Sequence, residues 1–115
     1  MEEHKTKKEQ VASYKERKIT GGVYAIRNTR SGRLLLGATN DLQGSKNRFA
    51  FAQTTGSCVD MKLQSDWKAQ GGGIFAFDPL EELTKGETQT AEEFKADIEV
   101  LRRMWAEKLA GKDLY

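Results

Sequence analysis

Residues 22–39 read GVYAIRNTRSGRLLLGAT and contain the clearest structural pattern in the chain. In residues 22–28 the side chains alternate with a period of two and are rich in β-branched and aromatic types, which is typical of a strand. Residues 29–32 form a turn that ends in glycine. Residues 33–39 are almost continuously apolar, which indicates a second strand at the centre of a sheet. The stretch therefore predicts a β-hairpin.

Two helices are predicted after the hairpin. The first covers residues 41–53, with Asn40 or Asp41 as its N-cap. The second covers residues 60–70, because apolar residues recur there at helical spacing, namely Val59, Leu63 and Trp67. Within the first helix two phenylalanines are only two positions apart, so we expect one of them to be buried and the other exposed.

A third strand and a last helix complete the pattern. Residues 74–77 (IFAF) predict the strand, and Pro79 is expected to limit its role as a hydrogen-bonded partner. Residues 80–89 are predicted to be a charged connection. Thr90 begins a capping box, threonine with glutamate three residues on, ahead of a helix over residues 91–109. Its apolar stripe comprises Phe94, Ile98, Leu101, Trp105 and Leu109.

The predicted order of elements is that of a single small α/β (α+β) domain, a three-stranded antiparallel sheet flanked by helices. A chain of 115 residues can hold one compact core and is too short for two. Residues 20–110 form this domain. We expect residues 1–19 to be a polar helical extension and residues 111–115 to be a C-terminal tail.

The composition narrows the classes of protein. Hydrophobic residues make up 37% and charged residues 31%. No stretch approaches the ~20 apolar residues that span a bilayer, and no apolar run follows the first charges, so we expect neither a membrane span nor a secretory signal. Cys58 is the only cysteine, which excludes an internal disulfide or a cysteine-based zinc site. The expected location is the cytoplasm.

The charges are unevenly distributed along the chain. Residues 1–48 hold 11 basic and 5 acidic side chains, a net charge of +6, whereas residues 49–115 hold 8 basic and 12 acidic ones, a net charge of −4. A basic half can bind phosphates, because Lys and Arg displace counterions from nucleic acid. It is also compatible with a solvated surface of no special function.

The hairpin resembles the signature of the GIY-YIG nuclease superfamily. The family's two triplets appear as Gly22-Val23-Tyr24 and Leu35-Leu36-Gly37, and their first positions are 13 residues apart. Further matches cover about residues 20–109. They are Asn40-Asp41-Leu42, Asn47-Arg48, Leu63-Gln64-Ser65-Asp66-Trp67, Gly73-Ile74-Phe75-Ala76-Phe77, Leu80-Glu81-Glu82-Leu83 and Trp105-Ala106-Glu107-Lys108-Leu109.

The resemblance implies a metal-dependent endonuclease that hydrolyses a DNA phosphodiester with one divalent cation, Mg²⁺ or Mn²⁺. In such enzymes a glutamate on the last helix holds the metal, which polarises the phosphate. Tyrosines of the two triplets position or activate water. An arginine on the first helix balances the phosphate charge through its planar fork of donors.

Several of these positions carry other residues in this chain. Tyr24 matches the first tyrosine, but the second tyrosine position is Leu35. Spacing from the second triplet places the arginine near Ser45, and Arg48, one turn later, is the better candidate. A histidine that commonly follows Asn-Arg in the family is Phe49 here, so that possible base is absent.

The last helix departs furthest from the family pattern. The glutamate three residues before the tryptophan is Arg102, and a guanidinium repels a cation where a carboxylate would bind it. Helical geometry places Arg102 about 60° from the centre of the apolar stripe and Glu99 about 120° from it. Glu99 is the remaining candidate metal ligand.

Three functions remain open. The first is a nuclease-like domain that binds nucleic acid, DNA above all, with weakened or lost cleavage. The second is an active divalent-metal-dependent DNA endonuclease that uses Tyr24, Arg48 and Glu99, and the third is a protein-interaction domain. For the first we predict salt-sensitive, sequence-indifferent binding centred on four cations, Arg27, Arg33, Lys46 and Arg48.

Overall fold

The structure, a computed structural model, describes residues 19–115. Its strands are β1 Thr20–Asn28, β2 Leu34–Thr39 and β3 Phe75–Thr84, and its helices are α1 Leu42–Thr55, α2 Gln64–Gln70 and α3 Ala91–Lys108. Short 3-10 turns, Met61–Leu63 and Gly72–Ile74, precede α2 and β3. The predicted order of elements from the hairpin onward is confirmed. The helical extension predicted over residues 1–19 lies, except for residue 19, outside the described residues.

The three strands form one antiparallel sheet in the order β2-β1-β3. The architecture predicted from the sequence is confirmed, but the position of β2 is not. We expected this apolar strand to be central, whereas β1 is central and β2 lies at an edge. The apolar run of β2 has another cause. Both faces of the sheet are covered by helices, so residues on both sides of β2 meet apolar neighbours.

The third strand is longer than predicted. It continues through Pro79 to Thr84, into the segment expected to be a connection. Two features allow this extension. β3 pairs only with β1 and is an edge strand, where proline is tolerated. In addition, the register shifts beside Pro79, which lies opposite Tyr24, and this irregularity interrupts the regular ladder there.

The two faces of the sheet carry separate apolar layers. A Cβ built on Gly21 would meet the side chain of Ile98, so alternate residues from Gly21 onward face α3. Val23 and Ala25 are buried on this side, as are Phe94, Ile98 and Leu101 of the helix. The opposite face packs against α1 and α2 through one core cluster, which comprises Ile26, Leu35, Phe49, Ala52, Leu63, Trp67 and Phe75.

The helix ends follow the sequence closely. Asp41 caps α1 by accepting a hydrogen bond from the backbone nitrogen of Gly44, and Gly56 ends the helix in the left-handed conformation. The capping box predicted at Thr90 and Glu93 begins α3. Trp105 is a partial exception to the predicted stripe, because it is only half-buried and its indole nitrogen donates to Glu81 at 2.7 Å.

The C-terminal residues pack along the sheet. Leu114 forms a parallel bridge with Leu34 at the outer edge of β2. Tyr115 donates a hydrogen bond to Asp66 at 2.6 Å and accepts one from the fully buried Asn28 at 2.9 Å. The residues expected to be a tail are therefore held against β1, β2 and α2. None of the helices in residues 19–115 is long and apolar enough to cross a membrane.

Candidate nucleic-acid interface

An open cleft of about 680 Å³ lies between the sheet and α1, on the face opposite α3. Side chains of β1, β2 and β3 form one wall, and residues of α1 and of the loop after it form the other. The lining residues are Tyr24, Ile26, Leu35, Ser45, Asn47, Arg48, Phe49, Phe51, Val59, Asp60 and Phe77. Four positions that the sequence singles out, Tyr24, Leu35, Arg48 and Phe49, are thus brought together.

Helical geometry explains how α1 contributes to the cleft. At about 100° per residue, the buried side chains Ser45 and Phe49 lie on one stripe, and Arg48 borders it. The guanidinium of Arg48 donates to Ser45 Oγ at 3.0 Å, and this hydroxyl donates to Thr39 Oγ1 at 2.8 Å. Arg48 is exposed, and the hydrogen bonds through Ser45 to β2 hold its guanidinium in place. The serine at the spacing-derived arginine position acts as its support.

Tyr24 stands on β1 with its ring stacked on Phe77 of β3, the centroids 4.6 Å apart. Its cross-strand partner is Gly37, and a Cβ there would lie 2.5 Å from the phenol ring carbon Cζ. The ring of Tyr24 in the first triplet therefore occupies space that only a glycine at the second triplet's Gly37 leaves open. Burial raises the pKa of the Tyr24 phenol, nearby Asp60 raises it further and Arg48 opposes both. The phenol therefore keeps its proton at neutral pH and can donate a hydrogen bond.

Leu35 and Phe49, which differ from the pattern that the resemblance implies, make part of the cleft wall apolar. Leu35 lies beside Ile26 in the cleft wall. Phe49 is buried and meets Trp67 edge-on, with centroids 6.0 Å apart, and Phe77 at 5.8 Å. Where the resemblance implies a phenol and an imidazole, this chain has an aliphatic group and a core phenylalanine. Neither can move a proton.

Glu99 and Arg102 do not line the cleft. They lie on α3, where the guanidinium of Arg102 holds both carboxylate oxygens of Glu99 at 2.5–3.1 Å. This hydrogen bonding lowers the pKa of Glu99 and raises that of Arg102. Arg103 approaches the same carboxylate at 3.8 Å. The candidate metal ligand is therefore already occupied by cationic neighbours on its own helix.

The cations chosen from the sequence do not form one cluster with Arg48. Arg27 faces the α3 side, where it donates to Asp78 at 2.8 Å. Arg33 lies 3.3 Å from Asp113 and stacks over the ring of Tyr115. Lys46 is on α1, but its side chain lies about 160° from that of Arg48 around the helix axis. Among these four, only Arg48 lines the cleft.

The divalent cation implied by the resemblance does not fit the residues present. Arg102 occupies the carboxylate position, and Glu99 is bound by that arginine. Within residues 19–115, no three His, Cys, Asp or Glu side chains are grouped so that they could hold a metal ion. Among the described residues, Asp60 is the one carboxylate that lines the cleft, and it also caps the turn that follows by accepting from Lys62 N at 2.8 Å.

Sequence reasoning missed three residues of the cleft. Asp60 was interpreted only as the start of a helix, and Phe77 only as part of a strand. Phe51, whose exposure was left open, is 68% exposed and lies at the rim. A signal was present for Phe51, because Asn47, Arg48 and Phe51 lie on one side of an ideal helix. No local pattern indicates that Asp60 reaches the same space.

Comparisons with solved structures support the fold. No protein-family model matches the chain, and no curated protein matches it. Among solved structures, a point mutant of the catalytic domain of intron endonuclease I-TevI matches with a TM-score of 0.61 and 23% identity, over 84% of this chain and 92% of that one. The catalytic domain of homing endonuclease I-TevI matches with a TM-score of 0.60 and 23% identity, over 83% and 95%.

I-TevI is a GIY-YIG nuclease, and its likeness to this chain extends over most of both chains. The GIY-YIG-like fold expected from the two triplets and the downstream matches is therefore confirmed. At 23% identity the likeness establishes the fold and leaves the chemistry to the residues of the site.

Proposed function

We propose that this protein binds nucleic acid, above all DNA, through the cleft of its GIY-YIG-like fold, with metal-dependent cleavage weakened or lost. The observation that supports this proposal is the mixed state of the four residues gathered in the cleft. Arg48 and Tyr24 keep a phosphate-binding cation and a hydrogen-bond donor. Leu35 and Phe49 supply no group for proton transfer.

Arg48 is suited to a phosphate by chemistry and by placement. Its guanidinium remains charged at any physiological pH and presents a planar fork of donors. One donor is used by Ser45, which fixes the side chain, and within residues 19–115 no other side chain takes the remaining donors. Because the arginine is already oriented, less rotamer entropy is lost when it binds a phosphate.

The loss of cleavage follows from the last helix. A single-metal site needs oxygen ligands, which Mg²⁺ prefers, and the implied ligand position holds a cation. Glu99 would have to leave its contacts with Arg102 before it could coordinate a metal. These two residues support a domain that binds without cutting.

Two other functions have some support from the structure. Tyr24 and Arg48 lie in one cleft, as an active endonuclease would require. Phe51 and Met61 are large, exposed apolar side chains, 68% and 86% exposed, of the kind that protein-binding surfaces use. Metal-dependent nicking would favour the first of these alternatives. Binding of a protein together with indifference to nucleic acid would favour the second.

The proposal is tested by two single variants on one helix. Arg48→Ala should weaken DNA binding and reduce the slope of log affinity against log salt by about 0.9 for duplex or about 0.7 for a single strand. Lys46→Ala removes the same charge from the other side of α1 and should change affinity less. Fluorescence anisotropy over a series of salt concentrations measures both.

Two results would refute the proposed binding site. One is the absence of DNA binding even at low salt. The other is an equal loss of affinity in Arg48→Ala and Lys46→Ala, which would indicate a diffuse response to net charge without a role for the cleft. Both positions are exposed, so neither substitution should disturb the fold.

A further inference from the structure

We propose that the cleft takes up one unpaired base of a nucleic acid while Arg48 holds the adjoining phosphate. This inference rests on the proposed nucleic-acid binding and specifies its substrate class: single-stranded, bulged or flipped-out nucleotides in preference to regular duplex. It concerns the apolar content of the cleft, which phosphate binding alone leaves unexplained.

The cleft has the size and lining of a site for a flat apolar group. Its volume of about 680 Å³ lies within the ~300–1,000 Å³ typical of small-ligand sites, which combine an apolar lining with a few polar groups. Aliphatic and aromatic side chains line most of it, and four are aromatic, Tyr24, Phe49, Phe51 and Phe77. The polar side chains of Asn47, Ser45 and Asp60 are interspersed among them.

Phe51 is the aromatic residue best placed to receive a base. It is 68% exposed although Phe49, two positions earlier, is buried in the core. An exposed phenylalanine on a helix contributes little to the fold, so its ring is available to a ligand. Stacking of bases on aromatic rings stabilises binding to single strands and tolerates any sequence, since every base has a π-face.

Charges in the cleft favour one orientation of a nucleotide. Arg48 attracts the phosphate. Asp60, which also lines the cleft, repels the same anion from its part of the cleft. The uncharged base can occupy the apolar space without this repulsion. Hydrogen-bonding groups on Asn47 and Tyr24 can contact its edge.

Regular duplex does not expose the face of a base. Its bases are paired and stacked inside the helix, and a protein reaches a whole base face only when the base is unpaired or leaves the stack. A cleft that recognises a base face should therefore favour nucleic acid in which unpairing costs nothing. An apolar protein segment is the competing occupant, but it offers no anion for Arg48.

The test uses fluorescein-labelled 20-nucleotide DNA in three forms: single strand, duplex, and duplex with a one-nucleotide bulge. We expect the single strand and the bulge to bind at least about fivefold more tightly than the duplex at equal salt. Phe51→Ala should remove at least about fivefold of affinity for the single strand and little for the duplex, whereas Phe51→Trp should retain it. Met104→Ala, at an exposed position on α3, is the matched control.

A second readout reports stacking directly. 2-Aminopurine at a central position of the single strand should lose fluorescence on binding to the wild type and less so with Phe51→Ala. Equal affinity for all three DNA forms, or single-strand affinity unchanged in Phe51→Ala, would overturn the base site while Arg48-dependent binding, and with it the proposed function, stands. No binding of any form would refute both. The base site would also be overturned, and the cleft assigned to protein, by a third result. In that result a leucine-rich peptide displaces the single strand, and binding of that strand had not lowered the fluorescence of its 2-aminopurine.

Discussion

The cleft face of the sheet and the face covered by α3 have departed from the nuclease pattern in different ways. On the cleft face, Leu35 and Phe49 lie where the resemblance implies groups that move protons, and they line a concave surface together with Arg48. On α3, Arg102 lies where the resemblance implies a carboxylate, and its guanidinium contacts Glu99 at 2.5–3.1 Å.

This difference separates shape from chemistry. Replacing a polar side chain in the cleft wall by an apolar one preserves packing and can improve it, because the new group joins the core cluster. An arginine where the resemblance implies a metal ligand does more, because it reverses the expected local charge and forms an ion pair with the neighbouring carboxylate of Glu99. The cleft and the charges on α3 are therefore separate features of the fold, and each can be tested without the other.

The largest expected effect concerns the α3 face. We predict little or no divalent-metal-dependent nicking of supercoiled or branched DNA by the wild type with Mg²⁺ or Mn²⁺. We also predict a gain of metal binding in Arg102→Glu, because this substitution places a carboxylate at the implied ligand position and removes the ion pair with Glu99. Isothermal titration with Mn²⁺ and a plasmid-nicking assay measure the two outcomes.

Glu99→Gln is the control for that experiment. It removes the other carboxylate of the pair while leaving Arg102 in place, and it should leave the wild type as inactive as before. Robust wild-type nicking that disappears in Glu99→Gln would show that the metal site lies one turn earlier on α3. The comparison of the two faces would then be wrong.

The next effect concerns the two phenylalanines of α1. Phe49→Ala should destabilise the protein by about 3–5 kcal/mol, because it leaves a cavity beside Trp67 and Phe77. Phe51→Ala should change stability by no more than about 0.5 kcal/mol, because its ring is mostly in solvent. Urea unfolding of the two variants provides the measurement. Similar losses in both would mean that Phe51 supports the fold and is not available to a ligand.

The smallest expected effect is a titration. The pKa of Glu99 should lie below its ordinary value of 4.5 because of the hydrogen bonds from Arg102. The sign follows from this shift: stability contributed by the pair is present above the ordinary pKa and is lost as the pH falls through the lowered one. Carboxyl NMR should show the pKa returning toward 4.5 in Arg102→Gln. Arg103→Gln, at the more distant guanidinium, should shift it less, and equal shifts would contradict the assigned cause.

Local patterns were sufficient where short-range physics decides the structure. The hairpin follows from period-two alternation, the start of α1 from a side-chain cap at Asp41, and the start of α3 from the reciprocal hydrogen bonds of Thr90 and Glu93. Patterns failed where the outcome depends on distant neighbours. The edge position of β2 in the sheet and the continuation of β3 beyond Pro79 both depend on which strand lies alongside.

The sequence was sufficient to predict the order of the helices and strands, the resemblance to GIY-YIG nucleases and the residues that differ from that pattern. Each of these can be read from residue types at fixed spacing. Which charged side chains form ion pairs depends on the tertiary structure. It turned Arg27 and Arg33 toward Asp78 and Asp113, set Arg102 on Glu99, and left Arg48 facing an aromatic cleft. The physical reason is that electrostatic attraction and stacking act through space over a few ångströms, between residues that sequence distance does not relate.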